Sequence, residues 1–258
     1  MPPKGPSSKN NQSFRLRPVG RDIDTKRVLN APGVVILIAG ATIASFLFFM
    51  FAPDRVARIT EIAAAVIPAR FTGAAAVQAG VLSKLSPLLA HIFVHASLAH
   101  IGFNLLWLLA FGTPVARRMG ADNASQALPA LAASSIFLSF YLLSGVAGAL
   151  LFIAAHADEY TLMVGASGAV SGLLGGLVRF AFNQTSILGP EHTRLSSLSS
   201  RSVIVWTGFM LATNNPLTAQ FMGAMAGGTQ IAWEAHLGGY FFGLLTYPFF
   251  ERAARGFR

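Results

Sequence analysis

The chain of 258 residues has no cysteine and few charged residues. Without cysteine it can hold neither a disulfide framework nor a metal site built on thiolates. Charged residues make up 11% of the chain, whereas soluble domains carry about 25%. Because 53% of the residues are hydrophobic, this deficit excludes an ordinary soluble surface and predicts a chain that lies in lipid.

The charge that is present is mostly basic, with a formal net charge of +9. A basic balance is compatible with nucleic-acid binding, but these basic residues lie in short stretches between apolar runs, which is typical of membrane proteins. We therefore expect the lipid bilayer, and no nucleic acid, as a partner. We predict that residues 1–30 form a basic, disordered cytoplasmic tail and that residues 31–250 form one membrane domain. Residues 251–258 are predicted to form a short basic cytoplasmic tail.

Six segments approach the roughly 20 apolar residues that a helix needs to cross a bilayer. The fifth contains Asn214, Asn215 and Pro216, so we expect a short helix there, followed by an irregular loop. The break and the loop at 217–231 are candidates for a lateral gate. The six predicted spans are 32–52, 97–116, 127–153, 162–182, 201–225 and 232–250.

The distribution of lysine and arginine predicts the orientation of these spans. If the N-terminus is inside, four of the 19 basic residues face outward and the other 15 face inward; the four are Arg55, Arg58, Arg70 and Lys84. We therefore expect an all-α membrane protein of six transmembrane helices with both termini cytoplasmic. The location we expect is a bacterial plasma membrane, with a mitochondrial inner membrane as the alternative.

Four polar side chains fall at membrane depth, where they are costly and therefore functional candidates. His100 and Asn104 lie in the second predicted span, Ser167 in the fourth and His236 in the sixth. All four fall near the outer ends of their spans, with Ser167 roughly one to two turns into a helix that begins at Leu162. Their shared depth predicts one common site.

Small residues recur at intervals of four in the fourth span and near the histidine of the sixth. Such spacing lets two helix backbones approach closely, so we expect these spans to pack together with the serine facing the histidine. These residues are Gly168, Gly172 and Gly176 in the fourth span and Gly239 and Gly243 in the sixth.

A serine facing a histidine indicates nucleophilic catalysis, because an imidazole can take the hydroxyl proton and later pass it to the leaving amine. The amide of Asn104 and the backbone N–H of Ser167 are candidate oxyanion donors, with His100 as a further one. Glu234 stands two residues before His236 and so lies on the wrong face of the helix. We therefore expect a Ser–His dyad without an acidic third member.

These residues occur in three motifs, His100-Ile-Gly-Phe-Asn104, Gly165-Ala166-Ser167-Gly168 and Ala235-His236-Leu237-Gly238-Gly239. Their order and their spans resemble the rhomboid family of intramembrane serine proteases, over about residues 31–250. The resemblance implies a six-helix bundle with a water-filled cavity open outward, no metal or organic cofactor, and transmembrane proteins as substrates.

The resemblance also implies roles for individual residues. Ser167 would be the nucleophile and His236 the general base, with His100 and Asn104 in the oxyanion hole. Close helix packing would be supported by Gly165, Gly168, Gly239 and Gly243. In two places the chain departs from the family pattern. The stretch before His91 reads LSPLLAHIF where many relatives have a Trp-Arg pair, and Ser171 stands where many have an aromatic residue that packs on the catalytic imidazole.

Other interpretations are weaker. His91 and His95 have metal-binding spacing, but no carboxylate accompanies them, so we expect a structural role. A binding or chaperone protein with the same fold would lack the dyad, whereas both members are present here. A small transporter would need internal repeats or paired broken helices, and the sequence has no such repeat. The expected substrates carry small or helix-breaking residues near the outer end of their span.

Overall fold

The computed structural model describes residues 30–72, 80–122, 127–182, 194–225 and 231–256, together with Met1 and Ala76. The predicted tail at residues 1–30 therefore lies almost wholly outside the described residues. Within these ranges the chain forms α-helices joined by turns and loops, with single 3₁₀ turns at Pro68–Arg70 and His91–Phe93. The α-helices are α1 (Gly33–Phe51), α2 (Asp54–Ala64), α3 (Val81–Ala90), α4 (Leu98–Met119, with a π-helical turn at Leu108–Gly112), α5 (Ala127–Ala155), α6 (Ser167–Val178), α7 (Arg201–Thr213), α8 (Pro216–Met225) and α9 (Trp233–Arg255).

Three helices of the described part are long and apolar enough to cross a membrane, namely α1, α4 and α5. They coincide with the first three predicted spans. The shorter helix α6 lies between α5 and α9, and all its residues except Ser167 and Ser171 are buried. A helix surrounded by protein does not need the full length of a lipid-facing span, since neighbouring helices replace the hydrocarbon.

The fourth predicted span begins later than the sequence suggested. Residues 159–164 are extended or irregular, and Val66 and Met163 exchange two backbone hydrogen bonds of 3.0 Å. Gly165 then has a φ of +121°, a backbone conformation that ordinary residues avoid. The helix therefore starts at Ser167, so this serine is in the first turn and not one to two turns into the helix.

The fifth predicted span consists of two helices, and the irregular loop predicted after its break is wrong over residues 216–225. Pro216 disfavours helix at the residue before it, and Asn214 and Asn215 separate α7 from α8. The side-chain Oδ1 of Asn215 accepts from the backbone N–H groups of Leu217, at 3.1 Å, and Thr218, at 3.2 Å. This cap starts a new helix. Residues 226–230 of the predicted loop lie outside the described residues.

The last helix continues past the predicted span, through Arg255, and carries an ionic cluster around the buried Glu251. Glu251 accepts from Arg118 Nε at 2.9 Å and from Arg255 Nη2 at 2.6 Å. The guanidinium of Arg118 also lies 4.6 Å from the centre of the Phe180 ring. The cluster joins the ends of α4 and α9, so part of the segment expected as a tail belongs to the bundle.

Candidate functional site

The turn before α6 sets the position of Ser167. The backbone N–H of Gly165 donates to the carbonyl of His91 at 2.8 Å, and that of Ala166 donates to Nε2 of His95 at 3.4 Å. A Cβ added to Gly165 would come within 2.6 Å of Nε2 of His100. Gly165 was expected in helix packing, but it lies before the helix, where only glycine combines the positive φ with space for the imidazole.

The two histidines with metal-like spacing are engaged in this turn. His91 is buried, and its Nδ1 lies 2.8 Å from the carbonyl oxygen of Pro87. His95 contacts the ring of His100 edge to face, with 4.9 Å between ring centres. Among the residues that the structure describes, no group of three or more His, Cys, Asp or Glu is placed to hold a metal ion. Both histidines thus support the loop that presents Ser167.

Helix α9 brings His236 to Ser167 because it crosses α6 in backbone contact. A Cβ on Gly239 would collide with the carbonyl oxygen of Gly168, and one on Gly243 would collide with that of Gly172. Two helices that meet at glycines approach more closely than larger side chains permit. One turn before this contact, Nε2 of His236 lies 2.8 Å from Oγ of Ser167. Both side chains are half-buried.

The imidazole of His236 has a second partner that the sequence interpretation missed. Nδ1 lies 2.6 Å from Oδ1 of Asn214, at the end of α7. From the sequence, Asn214 was expected only to break the helix. A polar residue in an apolar span was the available signal, but the two partners are 22 positions apart in the sequence, which hid their contact. Ser167, His236 and Asn214 therefore form one hydrogen-bonded line across α6, α9 and α7.

His100 and Asn104 lie one turn apart at the start of α4. Asn104 is buried, and its Nδ2 donates to the backbone carbonyl of His100 at 2.9 Å. The backbone N–H of His100 donates to Oγ of Ser97, which caps this helix, at 3.1 Å. The His100 ring contacts Gly165, two residues before Ser167. Both side chains therefore stand on the helix that borders the serine turn.

A second histidine cluster lies at the same end of the bundle. His156, directly after α5, contacts Oε2 of Glu159 at 2.9 Å and Oε1 of Glu234 at 3.1 Å. Burial lowers the pKa of His156, but hydrogen bonds to the two glutamates outweigh it and leave the pKa above its ordinary value. Glu234 therefore interacts with His156 and not with His236, in keeping with its position on another face of α9.

The fold and this site define the class of the protein as a helical membrane protein with a serine–histidine pair inside its bundle. Residues 82–252 match the rhomboid domain, so the chain belongs to the rhomboid family, as its motifs indicated. Rhomboid protease GluP of Bacillus subtilis is 32% identical over 142 residues, 55% of this chain and 24% of that protein. Mitochondrial rhomboid protein 1 of Saccharomyces cerevisiae is 29% identical over 182 residues, 67% of this chain and 44% of that protein. The chain thus spans less than half the length of either relative.

Proposed function

We propose that this protein is an intramembrane serine endopeptidase that cleaves transmembrane segments of other proteins. The observation that carries the proposal is the 2.8 Å contact between Oγ of Ser167 and Nε2 of His236 inside a membrane bundle. Family membership supports it further, since both relatives named above are rhomboid proteins and one is named as a protease. Within this proposal Ser167 is the nucleophile and His236 the general base.

The reaction proceeds in two steps. Oγ of Ser167 attacks the scissile carbonyl while Nε2 of His236 takes the hydroxyl proton and then delivers it to the leaving amine. The C–N bond breaks, one fragment leaves, and an ester remains on Ser167. Water then attacks this ester with His236 again acting as base, which releases the second fragment and restores the hydroxyl.

The developing oxyanion is stabilised at the start of α6. The first N–H groups of a helix have no partner within it, and the helix dipole favours negative charge there. Because Ser167 is the first residue of α6, its own backbone N–H lies at this end. Asn104 and His100 add side-chain donors from α4, and during the reaction Asn104 would exchange its present bond to the His100 carbonyl for the oxyanion.

Substrates enter from the lipid and must unwind locally, because a helix hides its carbonyls in hydrogen bonds. The pair α7–α8, broken at Asn214 and Asn215, is the proposed lateral gate. Substrate segments with small or helix-breaking residues near the outer end of their span are favoured, since these residues lower the cost of unwinding.

The proposed topology has six spans, with both termini in the cytoplasm of a bacterium and the site near the outer face. Because the chain has no cysteine, it is a ready background for single-cysteine labelling. In intact cells an impermeant maleimide is expected to label Tyr160→Cys, at an exposed outer position, but to label Ser199→Cys, at an exposed inner position, only after permeabilisation. Labelling of Ser199→Cys in intact cells would contradict this orientation.

The catalytic assignment is tested with a fluorophosphonate probe, which reacts with activated serines. We expect the detergent-purified protein to be labelled, and labelling to disappear in Ser167→Ala and in His236→Ala. Ser171→Ala, one turn further along α6, is the matched control and should label like the wild type. If folded wild type is neither labelled nor able to cleave a transmembrane reporter, the protein acts instead as a catalytically silent membrane-protein binding or chaperone module.

A further inference from the structure

Asn214 is oriented by its own helix so that its oxygen faces the catalytic-site histidine. Its Nδ2 donates to the backbone carbonyl of Met210 at 3.0 Å and lies 3.1 Å from Oγ1 of Thr213. Met210 is one turn earlier on α7, and its carbonyl can only accept. The amide nitrogen of Asn214 is therefore used within α7, and Oδ1 is the atom directed at Nδ1 of His236, at 2.6 Å.

This orientation selects one tautomer of His236. The amide oxygen of Asn214 can only accept a hydrogen bond, so Nδ1 of the neutral imidazole must carry the proton. Nε2 is then unprotonated and can accept the hydroxyl proton of Ser167. The opposite tautomer would place a lone pair against Oδ1 of Asn214 and an N–H against the serine, so it could not act as a base.

We propose that Asn214 is a positioning residue that holds His236 in its base-competent tautomer and orientation. This inference rests on the proposed function of the Ser167–His236 pair. The imidazole of His236 needs such a partner, because within the described residues no aromatic side chain packs on the ring to hold its orientation. The two hydrogen bonds, to Ser167 and to Asn214, are the polar contacts that define the plane of the imidazole.

The contact also ties the base to the proposed gate. Besides apolar packing, two side-chain hydrogen bonds link helix α7 to α9, Asn214 with His236 and Thr207 with Tyr240, the latter 2.9 Å between hydroxyl oxygens. The base therefore keeps its Nδ1 partner only while the end of α7 lies against α9. Asn214 thus acts through His236 and not on the substrate directly.

The chain offers a matched control in the next residue. Asn215 lies at the same helix break, but among the described residues its side chain bonds only to the two gate helices, with Nδ2 donating to the carbonyl of Ala212 at 2.8 Å and Oδ1 accepting from Leu217 and Thr218. Asn215→Ala thus perturbs the break without touching His236. Folding of every variant is followed by intrinsic fluorescence from the three tryptophans.

We expect Asn214→Ala to lower kcat for a transmembrane reporter by about 10- to 100-fold, the range found when a metal-bound histidine loses the hydrogen-bond partner that orients its ring. Asn214→Asp keeps an acceptor oxygen and adds a charge that favours imidazolium. It should retain more activity than Asn214→Ala and move the acid limb of the pH–rate profile to higher pH. Asn215→Ala should leave that limb where it is in the wild type.

Nitrogen-15 NMR of the histidine-labelled protein gives a readout independent of activity. The His236 signal, assigned with His236→Ala, should report protonation at Nδ1 in the wild type and lose that preference in Asn214→Ala. The inference would be overturned if Asn214→Ala kept the wild-type kcat, the wild-type acid limb of the pH–rate profile and the wild-type tautomer of His236. A wild type that shows the tautomer but neither cleavage nor probe labelling would overturn the proposed function and leave the positioning contact intact.

Discussion

Replacing both Ser167 and His236 with alanine is expected to reduce reporter cleavage no further than replacing Ser167 alone. Each single variant should lose cleavage by about 10⁶-fold, or to the detection limit, as for other serine enzymes whose nucleophile and base act as a unit. The physical reason is the 2.8 Å hydrogen bond between them. Without the serine there is no hydroxyl for the imidazole to deprotonate, and without the imidazole the hydroxyl stays a weak nucleophile.

The measurement is a double-mutant cycle on initial cleavage rates, with Ser171→Ala as the matched serine variant. Thermal unfolding followed by tryptophan fluorescence shows whether each protein is folded. A double variant far less active than either single variant would mean that the two residues contribute independently. Near wild-type cleavage by folded His236→Ala would remove this histidine from the role of general base.

The membrane helices and the polar residues within them were predictable for the same reason. Lipid tolerates few polar groups, so long apolar runs mark α1, α4 and α5, and a histidine or serine within an apolar run is conspicuous. The glycines near His236 likewise predicted a close approach, because only small residues let two helix backbones touch. Residue type and the spacing of nearby residues can be read directly from a sequence, and these features needed nothing more.

The start of α6 and the partner of His236 depend instead on tertiary contacts. Leu162 and Val164 continue the apolar run, so hydropathy places the start of the span at residue 162. In the structure, the hydrogen bond from Gly165 to the carbonyl of His91 and the positive φ of Gly165 keep the chain in a loop until Ser167. Asn214 was visible as a polar residue in a span, but its orientation comes from Met210 and its partner from another helix. Neither contact follows from local sequence.

Replacing Gly239 with alanine is expected to destabilise the bundle and inactivate the site together. An added Cβ would collide with the carbonyl oxygen of Gly168, a backbone atom that cannot move without shifting α6. Overpacking of this kind costs about 1–3 kcal/mol. Because Gly168 directly follows Ser167, the same shift would move the hydroxyl of Ser167, the proposed nucleophile, away from His236, and a displacement of about 1 Å can cost roughly 100-fold in rate.

The matched control is Gly40→Ala in α1, where a Cβ would have no heavy atom within 4 Å. Gly40→Ala should keep the wild-type cleavage rate and an unfolding midpoint at or slightly above that of the wild type, since alanine is the better helix former. Gly239→Ala should lower both, with cleavage at least tenfold below wild type in samples that remain folded. Stability and activity have a common cause here, because the contact that packs α6 on α9 is one turn from the hydrogen bond between serine and histidine. A Gly239→Ala protein with wild-type stability but no cleavage would show that stability and activity do not share this cause. A Gly239→Ala protein with wild-type stability and wild-type cleavage would show that the helices can move apart without disturbing the site.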